Sequence, residues 1–238
     1  MVLDTVQSLW VSGDLSNLER LSIKSFLKNG HPYHLYTYGS VGNVPEGVVV
    51  KDANEIIPCE QLFLVRGGYS SFSDFFRWEL VLEKGNWWVD TDAVCLRPLV
   101  FDSEYVFIGG LGKPGTSDCI TSGLFKAPAH SPIMEWGKGR CQQMNPATMT
   151  WGEAGPPLFT EAVHHFGFQG SIVPGRLFFP IFYDKVPDSL TSAGASIDFK
   201  DAYSVHLFNE MWRLAGRDKN GIYPETSVFE QLKKEWGS

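Results

Sequence analysis

Asp90, Thr91 and Asp92 close a short apolar run, Trp87, Trp88 and Val89, about sixteen residues after a cluster of Ser73, Asp74 and Arg77. In an extended segment, residues i and i+2 point the same way about 6.6 Å apart. Two carboxylates so placed can face one divalent cation and the group it carries. Asp-X-Asp at the end of an apolar strand therefore suggests a metal-bound diphosphate. In a polar turn the same triplet serves as solvated acids or as a cap on neighbouring backbone, and the upstream cluster shifts the balance between the two readings.

Asp74 and Arg77 are three apart in a segment of helical spacing, so they share one face near its positive N-terminal end. A local reading makes Ser71 to Asp74 a capping box and Arg77 the partner of Asp74. A chemical reading has Asp74 accept hydrogen bonds from sugar hydroxyls while Arg77 donates to the sugar or the diphosphate.

The elements that must hold these residues alternate. Val6–Val11 reads as a strand, Ser12, Gly13 and Asp14 as a turn, and 17–28 as a helix with Leu18, Leu21 and Phe26 on its buried side. Asn29 and Gly30 end it, and His34–Tyr38 and Val48–Lys51 read as strands. From Ser71 to Lys84, Phe72, Phe75, Phe76 and Leu80 recur at helical spacing and Gly85 is the stop. Trp87–Val89 then resumes a strand. This alternation implies an α/β fold, a mostly parallel central sheet flanked by helices, with ligands at the carboxyl ends of its strands.

Beyond residue 100 the pattern loosens. Tyr105–Ile108 and Ile120–Phe125 are strand-like and enclose the glycine-rich Gly109–Ser117, which either closes over a ligand or simply joins them. Trp151–Thr160, Leu177–Tyr183 and Tyr203–Trp212 are apolar islands among Gly and Pro. No linker or repeat divides the chain, and neither Walker spacing nor G-x-G-x-x-G is present.

A chain of 238 residues that is 43% hydrophobic supports one well-filled core, so a single domain over 1–238 is expected. A net charge of −7 argues against a nucleic-acid partner, which needs a basic face. The Met1-Val2-Leu3-Asp4 start lacks basic residues, and no apolar stretch nears the ~20 residues that span a bilayer. Cys59, Cys95, Cys119 and Cys141 lie far apart, which fits reduced thiols in a cytoplasm. Val228, Phe229, Leu232 and Trp236 form an apolar helical stripe beside Lys233 and Lys234, read as docked on the domain or as a weak peripheral membrane contact.

The series Ser73, Asp74, Arg77, Leu80, Gly85, Asp90, Asp92 resembles the signature of retaining GT-A glycosyltransferases of family 32 and the related clostridial toxin catalytic domains, a group that includes capsular-polysaccharide and α-1,4-galactosyltransferase-like members. Leu9, Trp10, Val11, Ser12 and Gly13 resemble the family's opening strand. Gly155, Pro156, Leu158, Phe159 and Thr160 resemble its Gly-Pro and Thr segment, Phe178, Phe179 and Pro180 an aromatic-Pro segment, and His206 and Trp212 its closing His and Trp. Asn86, Trp88, Ser12 and Met211 depart from the pattern. Met211 stands where a Ser is common, which leaves His206, Asn209 or water to make that contact.

The resemblance implies a metal-dependent, retaining transfer of a hexose from a nucleotide-diphosphate sugar, UDP-linked in many members, to a saccharide acceptor, as in surface-polysaccharide assembly. Residues 1–100 would bind the nucleotide, and 101–238 the acceptor. It implies Mn²⁺ or Mg²⁺ on Asp92, with Asp90, His206 and Asn209 nearby, and the base against Trp10. Val11, Gly13, Thr91 and Trp212 would complete the donor site. His206 alone reads equally as a core histidine, and Trp10 as core filler. Among the remaining acids, Asp118, Glu153 and Glu210, Glu153 could face the acceptor or the cationic sugar carbon, or be solvated. A non-catalytic binding module and a nucleotide-sugar hydrolase are the alternatives.

Overall fold

The computed structural model describes residues 3–110 and 119–237. The first half contains β1 (Val6–Leu9), α1 (Asn17–Lys28), β2 (Tyr33–Thr37), β3 (Val48–Asp52), α2 (Ser70–Lys84), β4 (Asn86–Val89) and β5 (Ala93–Cys95). The second contains β6 (Phe107–Gly109), β7 (Leu124–Ala127), α3 (Pro132–Gln142), α4 (Pro156–His165), β8 (Ile172–Pro174), α5 (Asp188–Thr191), β9 (Ser204–His206), α6 (Asn209–Leu214) and α7 (Val228–Trp236). Asp118 and most of the Gly109–Ser117 stretch, from residue 111 on, lie outside the described residues.

Five strands form the central sheet in the order β3-β2-β1-β4-β7. β1 pairs in parallel with both β2 and β4, Val6 lying opposite Tyr33 and Trp87, whereas β7 runs antiparallel to β4 with Leu124 opposite Val89. The fold is thus the expected α/β arrangement with a mostly parallel sheet. Period-two alternation sends Trp87 and Val89 into the cluster that includes Ile23 and Phe26 of α1, and Trp88 into the cluster under α2, α3 and α4. Helices therefore cover both faces, and the strands can be apolar throughout.

α1 starts where Ser16 and Glu19 cap each other, Ser16 accepting from Leu18 N at 3.2 Å and Glu19 from Ser16 N at 2.8 Å. Such a cap stabilises by about 1 kcal/mol. α2 begins one residue earlier than the spacing predicts, after Tyr69, which makes no side-chain cap. Ser71 Oγ is buried without a hydrogen-bond partner, so the capping box of the local reading does not form. Phe72, Phe76 and Leu80 bury against the sheet, Phe76 lying 5.8 Å from Tyr36 and 6.4 Å from Trp88 between ring centroids. Gly85, at φ +64, stops the helix, and a Cβ there would sit 2.6 Å from the Ala129 amide nitrogen.

Two readings shift. The first strand ends at Leu9, although Trp10 N still donates to Tyr36 O at 2.9 Å and Val11 O accepts from Tyr38 N at 3.1 Å; the expected strand at 120–125 is displaced to β7, which frees 119–123 as a loop at the sheet's carboxyl edge. β5, β8 and α3 were not readable, being short or Gly-interrupted. The stripe of α7 is docked, one of its two expected readings: Val228, Phe229 and Leu232 are buried with Leu18, Leu21 and Trp212. No helix among the described residues is long and apolar enough to cross one.

Candidate functional site

Asp90 leaves β4 with its amide donating to the Gly123 carbonyl at 2.8 Å, and its own carbonyl accepts from Ala93 N at 3.1 Å. This tight turn puts Thr91 and Asp92 in the lining of a cleft of about 1030 Å³ and starts β5. β9 pairs antiparallel to β5 with His206 opposite Ala93, and Asp92 O accepts from Leu207 N at 2.8 Å. That register brings a distant histidine beside the acids.

Asp90 is held from the N-terminal half. Its Oδ1 accepts from Trp88 Nε1 at 2.9 Å and lies 3.2 Å from Arg77 Nη2. The buried guanidinium also donates to the Ser122 carbonyl, to Ser73 O and Ser73 Oγ at 3.1 Å each, and lies 3.4 Å from Asp74 Oδ1 and 4.9 Å from the Trp88 ring centroid. Arg77 is a bracket: most of its donors are engaged inside the protein, and it fixes Asp74 and Asp90 relative to each other. Asp74 accepts from Ser122 Oγ at 3.2 Å. A Cβ at Gly155 would come within 2.8 Å of Asp74 Oδ1, so glycine allows the 152–156 turn to close on this carboxylate.

Asp92 is held from the C-terminal half, and less completely. Its Oδ2 accepts from Asn209 N at 2.6 Å. Its Oδ1 lies 3.1 Å from His206 Nε2, off the direction of a hydrogen bond, and is buried with no hydrogen-bond partner. His206 Nε2 is also 3.6 Å from Asp90 Oδ2, while its Nδ1 accepts from Phe208 N at 3.1 Å. Phe179 stacks on the imidazole at 5.1 Å between centroids.

The electrostatics separate the two acids. Burial raises Asp92 above the ordinary carboxyl range, and the Asp90 charge adds to it, against the pull of His206. Asp90 also suffers desolvation, yet Arg77, His206 and the Trp88 indole together hold it below its ordinary value. Asp74 is pushed up to about 6, chiefly by burial, with Arg77 opposing. For His206, burial favours the neutral form, but Asp92 and Asp90 outweigh it and raise the pKa.

One ligand atom each from Asp90, Asp92 and His206 lies within 4.8 Å of the others. The orphaned Asp92 Oδ1 and two more hard or borderline donors fit a divalent cation. Gly123 completes the cradle: a Cβ there would lie 2.8 Å from Asp90 Oδ2 and 3.2 Å from His206 Nε2, in the space a cation needs. Ligation through Nε2 requires the imidazole proton on Nδ1, so it would cost the bond from Phe208 N.

The other expected residues divide. Trp10, Val11 and Thr91 line the cleft, and Lys219 Nζ lies 5.5 Å from the Trp10 ring centroid. Gly13, at φ +86, shapes the turn and accepts from Trp10 Nε1 at 3.1 Å. Asn209 reaches Asp92 through its backbone amide. Trp212 backs the cleft from the core, and its indole N–H is donated to Leu207 O at 2.9 Å. Glu153 does not line the cleft: its carboxylate accepts from Thr150 N at 2.7 Å within its own turn. Glu210 pairs with Arg213 at 2.8 Å.

Sequence reasoning missed Ser122, Gly123 and Lys219. The first two ride on the loop before β7, where no motif marks them. Lys219 Nζ is held by Glu19 Oε1 at 2.7 Å, a fully buried carboxylate on α1.

No protein-family description and no curated protein matches the sequence. Among solved structures, PaToxG glycosyltransferase superposes with a TM-score of 0.50 at 13% identity over 71% of this chain and 72% of its own. The glycosyltransferase GlyE of Streptococcus pneumoniae TIGR4 gives 0.49 at 11% over 100% and 64%. The galactosyltransferase LgtC, in complex with donor and acceptor sugar analogs, gives 0.48 at 10% over 98% and 96%. The chain has the GT-A type of fold, as in PaToxG glycosyltransferase.

Proposed function

We propose that this chain is a glycosyltransferase that uses a divalent cation, Mn²⁺ or Mg²⁺, to move a hexose from a UDP-linked sugar to a saccharide acceptor, with retention, in the cytoplasmic assembly of a surface polysaccharide. One observation carries the reading. Two carboxylates and an imidazole converge at the carboxyl end of β4 in a GT-A fold, and one buried oxygen, Asp92 Oδ1, has no hydrogen bond. Residues 1–100 would supply most of the donor site, and 101–238 the acceptor side and His206.

A cation held by Asp92, Asp90 and His206 would supply Lewis-acid stabilisation of the departing diphosphate. Arg77 sets the distance between Asp90 and Asp74 and places positive charge behind them. Asp74 offers carboxylate oxygens to sugar hydroxyls, and Trp10 offers a ring face to the base. Glu153 is engaged by Thr150 and does not line the cleft, so it is a poor nucleophile here. Front-face substitution accounts for retention without one. The bond from the anomeric carbon to phosphate breaks as the bond to the acceptor oxygen forms, and a phosphate oxygen of the leaving group takes the acceptor proton.

The test is nucleoside-diphosphate release across a panel of UDP- and GDP-sugars with Mn²⁺, Mg²⁺ or EDTA, for the native chain and Asp92→Ala. Metal-dependent release from one donor, faster with a saccharide acceptor and lost in the variant, is the expected result. Release to water alone would make the protein a hydrolase. Metal-linked nucleotide binding without turnover would make it a binding module.

A further inference from the structure

The cleft, at about 1030 Å³, is at the top of the ~300–1,000 Å³ range of single-ligand pockets. The carboxylates, His206 and Trp10 account for one part of its lining. Another part is aromatic and exposed: Trp151 is 40% and Tyr69 39% accessible, unusual for large rings inside a cleft. Trp151 is nevertheless fixed. Its Nε1 donates to Ser70 Oγ at 2.8 Å, on the first turn of α2, and the Arg66 guanidinium lies 5.9 Å from its ring centroid.

The segment that carries this indole is fastened to the same helix again. The Ala154 carbonyl accepts from Trp78 Nε1 at 2.9 Å, and Gly155 closes on Asp74. α2 therefore sets both the carboxylate of Asp74 and the ring of Trp151, so the two keep one spacing. Arg66, at φ +53, stands on a tight turn closed by reciprocal bonds between Val65 and Gly68 at 3.1 Å. Trp10 is served by other groups, Gly13 and Lys219.

We infer that Trp151, which lines the cleft together with Tyr69, is the platform on which the acceptor saccharide lies. A pyranose presents C–H bonds on a face and hydroxyls at its edge, so it settles flat on a rigid, half-wet aromatic ring whose surroundings supply polar partners. The Ser70 bond pre-orients the indole, and binding need not pay to immobilise it. This assignment rests on the transferase reading, and it names the residues that select the acceptor.

The experiment uses lactose, maltose, cellobiose and methyl β-galactopyranoside as probes. Saturation-transfer NMR reads their binding without donor or metal, and nucleoside-diphosphate release reads acceptor and donor KM. Trp151→Ala should weaken binding of the preferred saccharide and raise its KM about tenfold. Trp151→Phe, which keeps a ring, should recover most of that loss. Thermal melts of both variants establish that they are folded. The inference is overturned by an unchanged acceptor KM, by a donor KM that rises by the same factor, or by no probe touching Trp151. Release that stays intact while Trp151 proves indifferent would sink this assignment alone. Saccharide contact at Trp151 without any metal-dependent release would sink the transferase reading instead.

Discussion

Asp90 and Asp92 are two residues apart, yet their surroundings are opposite in kind. Asp90 receives an indole N–H and a guanidinium from elements of the first half, and its pKa falls. Asp92 receives one backbone amide from the second half, keeps an unbonded buried oxygen, and its pKa rises. Pairs of acids whose environments push them apart have different jobs. Asp90 is already satisfied at Oδ1, so on the proposed reading its Oδ2 would be the weaker of the two carboxylate ligands. Asp92 bears a desolvation cost that His206 and the Asn209 amide only partly offset, and on the proposed reading a bound cation would remove the rest, which would make Asp92 the main ligand.

The contrast can be broken at several points. Asp92→Asn should lower turnover on the order of 10³-fold, the scale set by losing one charged stabiliser of the leaving group, whereas Asp90→Asn should lose less; initial rates at saturating metal check this. Arg77→Lys should make Asp90 resemble Asp92, because an ammonium cannot reproduce the fork to Ser73, Ser122 and Asp90. A fall of roughly 100-fold in kcat/KM, with lower thermal stability, is expected. Gly123→Ala should fill the space between Asp90 Oδ2 and His206 Nε2 and weaken Mn²⁺ binding about tenfold, read by calorimetry.

The smallest effect concerns Asp74. Its folded pKa, about 6, exceeds the unfolded value, so its stabilising contribution is full below about pH 4 and is lost as pH rises through 6. Denaturation of native and Asp74→Asn protein should show the native chain losing stability relative to the variant from about pH 4 to about pH 6, with a flat difference from there to about pH 7.5. A difference independent of pH would place Asp74 in a more solvated setting.

Local signals made the first half legible. Ser16 and Glu19 announce the start of α1, four apolar positions at helical spacing announce α2, and the Trp87–Val89 run announces β4. Their physics is contained in neighbouring residues. The second half depends on distant pairings: β7 reverses direction against β4, and the loop before it delivers Ser122 to Asp74 and Arg77 and Gly123 to Asp90. No spacing in the sequence encodes that approach. The family resemblance supplied His206, whose place beside Asp92 follows from the β5–β9 register. Glu153 was suggested by its closeness to Gly155 and Pro156, but the Thr150 turn claims its carboxylate.

The most direct measurement is a thermal melt of the native chain and Asp92→Asn against Mn²⁺ concentration. A ligand that binds only the folded state at 100 times its dissociation constant adds about 2.7 kcal/mol. Mn²⁺ should raise the native melting temperature and leave the variant unmoved, and without metal the variant should melt higher, because a carboxylate that burial disfavours is gone. A native chain indifferent to Mn²⁺, or a variant that responds equally, would contradict the assignment of Asp92 as the metal ligand.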